Sequence, residues 1–211
     1  MRTVAIASAK GGSGKTTITA LLAVRACQDS PNKVAMMDLD SQGSLTQWWE
    51  ARGEPKSPKL AQIGDNIPAA VKKLSATFEW CFLDTPPFAQ DLIEQAIVLA
   101  DAVVIPVKTG LFDVMSSQTV VEMCEQHRKP FSLLLSDVDS RRDYKKLERD
   151  ARGAIVDIGP MFSTQIEHRK HYIDALSRGK TGAEIDAKEC KREVDSLWTE
   201  VRRLAAEKER V

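Results

Sequence analysis

The octapeptide KGGSGKTT, Lys10 to Thr17, follows the apolar run Val4-Ala5-Ile6-Ala7 and leads into helical periodicity from Ile18 through Ala26. No other feature restricts the fold as strongly. A strand, a glycine turn and a helix start in that order make a phosphate-binding loop, and Lys10 through Thr16 fill its core. The glycines let the backbone turn tightly, so that successive N–H groups point at phosphate oxygens. The following helix adds its positive N-terminal end. Gly11, Gly12, Ser13, Gly14 and Thr17 complete the cradle. Lys15 is placed to reach the β- and γ-phosphates, and the Thr16 hydroxyl to complete a Mg²⁺ shell. Lys10 is surplus to nucleotide binding. At the loop's first residue it cannot easily fold back onto phosphates held by its own loop, so it is expected to serve a nucleotide in a facing subunit.

Short apolar runs alternate with helical periodicity along most of the chain. Thr3–Ser8, Lys33–Asp38, Glu79–Asp84, Ala102–Val107 and Phe131–Ser136 read as strands, and a short edge strand is expected at Lys59–Ile63. Thr16–Asp29, Leu45–Ala51, Ile67–Thr77, Asp91–Leu99 and Val114–Gln126 read as helices. This alternation predicts an α/β fold: a doubly wound, mostly parallel sheet flanked by helices, with ligands bound beyond the strand carboxyl ends. Further along, Tyr144–Arg152 reads as a basic helix, Ile155–Phe162 as one more strand, and Ile166–Ser177 and Ala187–Ala206 as closing helices. At 211 residues, the chain is expected to form one domain over residues 1–211.

Thirty basic residues balance thirty acidic ones, so no global field steers the chain toward nucleic acid or membrane. Any DNA contact must come from a local patch. The four cysteines lie far apart with no metal-ligand spacing and read as reduced, mostly buried thiols. With no signal peptide and no membrane-length apolar run, a cytoplasmic protein is expected. Trp48, Trp49 and Trp80 are expected to pack in the core or an interface rather than stack on bases, and the three histidines form no ligand set.

Two further motifs end strands. Asp84 closes the apolar Cys81-Phe82-Leu83 and begins Asp84-Thr85-Pro86-Pro87, the arrangement of a Walker B acid that binds Mg²⁺ directly or through water. The two prolines stiffen the following segment, which suits a loop that reports a γ-phosphate. Asp38 and Asp40 flank one leucine in DLDSQG; strand alternation puts both on one side. Asp38 is the better placed for Mg²⁺, and Asp40 for orienting an attacking water. Hydrolysis needs positioning and charge neutralisation, so a carboxylate, Mg²⁺ and two lysines suffice.

KGGSGKTT, DLDSQGSLTQW and FLDTPP together resemble the ParA/MinD family of deviant-Walker ATPases, over essentially the whole chain. With the first strand starting at Thr3, no room is expected for a preceding helix-turn-helix, and the chain is most similar to the small, ParF-like partition class. The resemblance implies that Lys10 is the signature lysine reaching the partner's nucleotide, with Lys15, Thr16, Asp40 and Asp84 as phosphate, Mg²⁺, catalytic and Walker B residues. It further implies ATP and Mg²⁺ as cofactors, a homodimer formed on ATP, non-specific DNA binding with nucleoid association, and release when a ParB-like or other cargo adaptor stimulates a slow hydrolysis. The segregated cargo would be plasmid or chromosomal DNA; the alternatives are a protein cargo, such as a chemoreceptor cluster or carboxysome, or a MinD-like membrane role. Arg169, whose counterpart is implicated in DNA contact, is carried over with Lys170, Arg202 and Arg203. Arg141, Arg142, Lys145, Lys146, Arg149 and Arg152 are further basic candidates.

Two departures from the family stand out. Lys108-Thr109-Gly110 follows Val104-Ile105-Pro106-Val107 where proline and serine are common, and Ser41 replaces a common proline. A membrane role requires the stripe Val194, Leu197, Trp198, Val201 and Leu204 to face lipid; its mixed charges fit packing on the sheet instead. A small-molecule P-loop enzyme would need a substrate pocket that nothing beyond the ATP site announces.

Overall fold

The computed structural model describes residues 1–62, 66–185 and 188–206. Six strands, β1 (Arg2–Ile6), β2 (Val34–Asp38), β3 (Lys59–Leu60), β4 (Trp80–Asp84), β5 (Ala102–Val107) and β6 (Phe131–Leu135), form one sheet in the order β3-β2-β4-β1-β5-β6. Every pairing is parallel. The connecting helices are α1 (Lys15–Asp29), α2 (Ser44–Ala51), α3 (Ile67–Leu74), α4 (Gln90–Leu99) and α5 (Leu111–Gln126). α6 (Lys145–Val156), α7 (Lys170–Leu176) and α8 (Lys188–Ala206) follow the last strand.

The strands are apolar throughout because both faces are covered. Alternation along β1 sends Val4 and Ile6 into a core shared with α1 and α8, and Ala5 into a second core shared with α4 and α5. The alanine side and the branched side therefore meet different helix layers. In register, Ile6 and Asp38 both lie opposite Asp84, so the ends of the three central strands meet at one point.

The stripe on α8 is spent on packing. Val194, Leu197, Trp198, Val201 and Leu204 are all buried, and Trp198 sits edge-on to Trp80 at 4.7 Å. Its indole N–H donates to Asp29 Oδ2 at 2.7 Å, at the end of α1. Hydrogen bonds from Arg25 and then Trp198 hold the Asp29 carboxyl below its ordinary range. Trp198→Phe should therefore destabilise the chain by about 2 kcal/mol, through lost ring contacts and one lost hydrogen bond to a carboxylate that keeps Arg25 and Arg202. Urea denaturation measures this; an unchanged midpoint would mean that α8 is not clamped at this point.

Three expectations need correction or trimming. Ile155–Phe162 is not a strand: Ile155 and Val156 finish α6, where Ala151 and Ile155, one turn apart, face the core. Pro160 has no N–H to continue a ladder, and what remains is a single bridge between Leu133 and Met161. The helix expected at Ile166–Ser177 begins only at Lys170, because the Ile166 N–H is taken by the Leu135 carbonyl and Arg169 is extended. The edge strand at Lys59–Ile63 is limited to Lys59–Leu60, Ile63 lying outside the described residues. Among the described residues no helix is long and apolar enough to cross a membrane.

Candidate nucleotide site

Between β1 and α1 the loop turns through left-handed backbone at Gly12 (φ 72°) and Gly14 (φ 93°), a region that glycine enters without steric cost. Gly14 then caps α1, and its carbonyl accepts from Ile18 N–H at 2.9 Å. The loop is braced on both flanks. Ser136, at the end of β6, donates to the Ser13 carbonyl at 2.8 Å, and Phe88 N–H donates to the Ala9 carbonyl at 3.2 Å. Lys15 lies almost fully buried and points into the loop, its Nζ 3.0 Å from the Lys10 carbonyl. A cleft of about 690 Å³ opens over the loop, lined among others by Gly11, Gly14, Lys15, Thr16, Thr17 and Asp40. A smaller cleft of about 230 Å³ lies on the loop's other side, against Gly12, Thr17, Ser136 and His168.

The two strand-end carboxylates differ in what holds them. Asp84 is 1% exposed; its Oδ2 accepts from the Thr16 hydroxyl at 2.7 Å and its Oδ1 from Thr19 at 3.4 Å. Burial pushes this carboxyl up to about 7, with Asp38 adding to the rise while Thr16, Lys15 and Thr19 oppose it. Asp38 is turned toward α2. Its Oδ2 accepts from both the N–H and the hydroxyl of Thr46 at 2.8 Å, and its Oδ1 from the Asp40 N–H at 3.2 Å. Asp40 is half-buried on the cleft wall, and its Oδ1 accepts from Gln42 N–H at 3.0 Å. Burial lowers the Lys15 ammonium below its ordinary value, and the charges of Asp84 and Asp40 oppose this.

The donor set suits a hard cation. A threonine hydroxyl and a buried carboxylate already meet, both offer oxygen, and the carboxylate lacks a full compensating charge. Among the described residues no three His, Cys, Asp or Glu side chains converge as a metal cage, so a cation held here would take the rest of its shell from phosphate oxygens and water.

Lys10 reaches out of the loop, away from its own cleft, to Asp113 on α5, 2.6 Å from Nζ to Oδ1. Around that pair four large apolar side chains stand open: Phe88, Leu111, Phe112 and Met115, from 59% to 78% exposed. Sequence reading missed this rim. The available signal was Leu111-Phe112 at the start of α5, an apolar pair where a first turn ordinarily meets water.

The four DNA candidates are not brought together. Arg169 binds Glu193 Oε1 at 2.7 Å and Glu167 Oε2 at 2.9 Å. Arg202 pairs with Asp29 at 3.1 Å, nine residues beyond Glu193 and roughly 13 Å along α8. Lys170 and Arg203 are exposed. A different basic face does assemble: Arg142, Lys145, Lys146 and Arg149 are exposed on the turn before α6 and on α6 itself. Its neighbours are spent, Arg141 on Asp139 and Arg152 on Glu148. The tryptophans pack as expected, with Trp48 N–H on the Lys180 carbonyl and Trp49 N–H on the Pro58 carbonyl. Cys81 and Cys124 are buried thiols, and burial pushes both up to about 12.

A parallel sheet with a glycine loop at β1 and a buried acid at the neighbouring strand end defines a P-loop nucleotide-binding protein. Residues 4–182 match the CobQ/CobB/MinD/ParA nucleotide binding domain, and the chain belongs to that family. It is 26% identical over 196 residues to the maintenance of carboxysome distribution protein A of Halothiobacillus neapolitanus, covering 88% of each chain. The protein of the same name from Gloeobacter kilaueensis is 30% identical over 213 residues, covering 93% of this chain and 95% of that relative. An ATP complex of Cyanothece McdA superposes with a TM-score of 0.71 at 19% identity, covering 100% of this chain and 97% of that one. The chain is thus a nucleotide-binding protein of the ParA/MinD type.

Proposed function

We propose that the chain is an ATP-switched positioning ATPase whose two copies close face to face over two ATP molecules. The observation that carries this reading is Lys10, held at an open rim among Phe88, Leu111, Phe112 and Met115 instead of over its own cleft. Apolar area of this kind on a charged protein is best explained by a surface that a second copy covers. Lys15 and the loop N–H groups would hold the triphosphate, and the smaller cleft would take the nucleoside end. Thr16 and Asp84, with Asp38 behind Asp84, would hold Mg²⁺, which when bound neutralises phosphate charge. Asp40 accepts hydrogen bonds on the cleft wall and would orient the attacking water, while Lys10 of the partner subunit meets the developing charge.

In the ATP-bound dimer the α6 face would hold DNA without sequence preference, and a ParB-like or other cargo adaptor would stimulate hydrolysis and release. Nucleoid association follows from the same contact. The cargo would be plasmid or chromosomal DNA. A protein cargo is the second reading, favoured by the two relatives named for carboxysome distribution.

The test is binding to non-specific duplex DNA with ATP, ADP and no nucleotide, using Asp40→Ala to slow hydrolysis. ATP-only binding that weakens steeply with salt is expected. Lys146→Ala with Arg149→Ala should weaken it on every sequence and reduce the logarithmic salt slope by about 2 for each subunit engaged, about 4 for the dimer. Equal binding in all nucleotide states, or an unchanged slope, would sink the DNA reading or its assignment to α6, respectively.

A further inference from the structure

The Lys108-Thr109-Gly110 departure has a structural use. Lys108 pairs with Asp137 at 2.7 Å and anchors the loop to the end of β6. Gly110 then caps α5 through its carbonyl, which accepts from the N–H of Asp113 at 2.9 Å and of Val114 at 3.1 Å. Its φ of −71° is open to any residue, so glycine is not needed there for conformation. Its effect is on space: a Cβ at Gly110 would fall 2.5 Å from Asp113 Oδ2 and push that carboxylate aside. The missing side chain lets the Asp113 carboxylate lie back over the turn, where it meets Lys10. That contact is an ion pair at 2.6 Å with the two side chains 41% and 21% exposed.

We propose that Asp113 is a positioning residue that latches Lys10 to its own subunit, so that dimerisation requires an exchange of partners. The proposal rests on the face-to-face dimer reading above. The ammonium cannot bind Asp113 and a phosphate across the interface at once. Leaving a single carboxylate is favourable only toward a more highly charged acceptor, and a γ-phosphate is one. The latch thus penalises every dimer that does not bring a triphosphate to Lys10, which sharpens the difference between ATP and ADP. Each dimer must open two latches, one per subunit.

The experiment is sedimentation velocity of the full chain over a protein dilution series, with Mg²⁺ and a slowly hydrolysed ATP analogue. Asp113→Asn should lower the dimer dissociation constant about threefold to tenfold, the range expected from releasing two partly exposed ion pairs. Gly110→Ala should act in the same direction by displacing the carboxylate. In a Lys10→Ala background Asp113→Asn should change nothing, as a double-mutant cycle requires of a pair that acts together. The gap between Asp113→Asn and wild type should narrow as salt screens the pair. A purely structural role for Asp113 predicts weaker dimers, so tightening separates the two. If wild type dimerises and Asp113→Asn leaves the constant unchanged or raises it, the latch is overturned alone. If wild type stays monomeric with the analogue bound, the dimer reading fails and takes the latch with it.

Discussion

Lys10→Ala should bind MgATP within about threefold of wild type, yet lose adaptor-stimulated turnover by about 10³-fold, the scale of a cationic side chain supplied in trans to phosphoryl transfer. The two effects separate because Lys10 and Lys15 face different ways. Lys15 Nζ is inside the loop, whereas Lys10 Nζ is on Asp113 at the rim. Removing the Lys10 side chain leaves the cradle of N–H groups intact; within the loop Lys10 uses its backbone, the N–H on Ser8 Oγ and the carbonyl under Ser13 and Lys15, and the substitution keeps both. Equilibrium binding of a fluorescent ATP analogue, set beside phosphate release with and without the adaptor, measures both. Turnover unchanged by Lys10→Ala would remove this lysine from the chemistry and leave the loop an ordinary P-loop.

The nucleotide-free protein should lose stability as pH rises from about 4 to about 7, and Asp84→Asn should abolish that loss. The folded-state carboxyl of Asp84 titrates at about 7, well above its unfolded value of 3.8. Over that window the folded chain keeps a proton which the unfolded chain releases, so stability is full below the lower value and falls through the upper one. The size is on the order of 3 kcal/mol, because more than 90% of the side chain is withdrawn from water. Asp29, Asp137, Glu184 and Glu200 have lowered values and contribute in the opposite sense, which makes the comparison with Asp84→Asn the informative one. Guanidinium denaturation at about pH 4.5 and pH 8 should show the variants close together at the first and Asp84→Asn clearly more stable at the second. With MgATP present the order should reverse, since the amide cannot hold the cation. Parallel stability profiles without nucleotide would mean that Asp84 is not a buried, uncompensated charge.

Legibility in the sequence followed the range of the interactions involved. The β1 strand, the glycine loop and α1 are contiguous, so their periodicity and turn chemistry were readable to within about two residues. Asp84 was readable because an acid ending an apolar run has few other uses. The Ile155–Phe162 error came from reading β-branched residues locally, when Ile155 was completing a helical i, i+4 pair with Ala151. The pairing of Arg169 with Glu193 was not readable, because Glu193 is 24 residues away in sequence.

The parallel α/β architecture and the phosphate loop are properties of short windows, where strand and helix periods and glycine's backbone freedom act within a few residues. The rest required the fold. Lys10 lies in the loop before α1 and Asp113 in the first turn of α5, while Thr16 starts α1 and Asp84 ends β4. Ser136 reaches the loop across 123 residues of sequence. Which charge is paired, which acid is buried and which apolar side chains stay open depend on what the sheet order β3-β2-β4-β1-β5-β6 brings side by side. Desolvation and ion pairing act through space over a few ångströms, and no local pattern carries that distance.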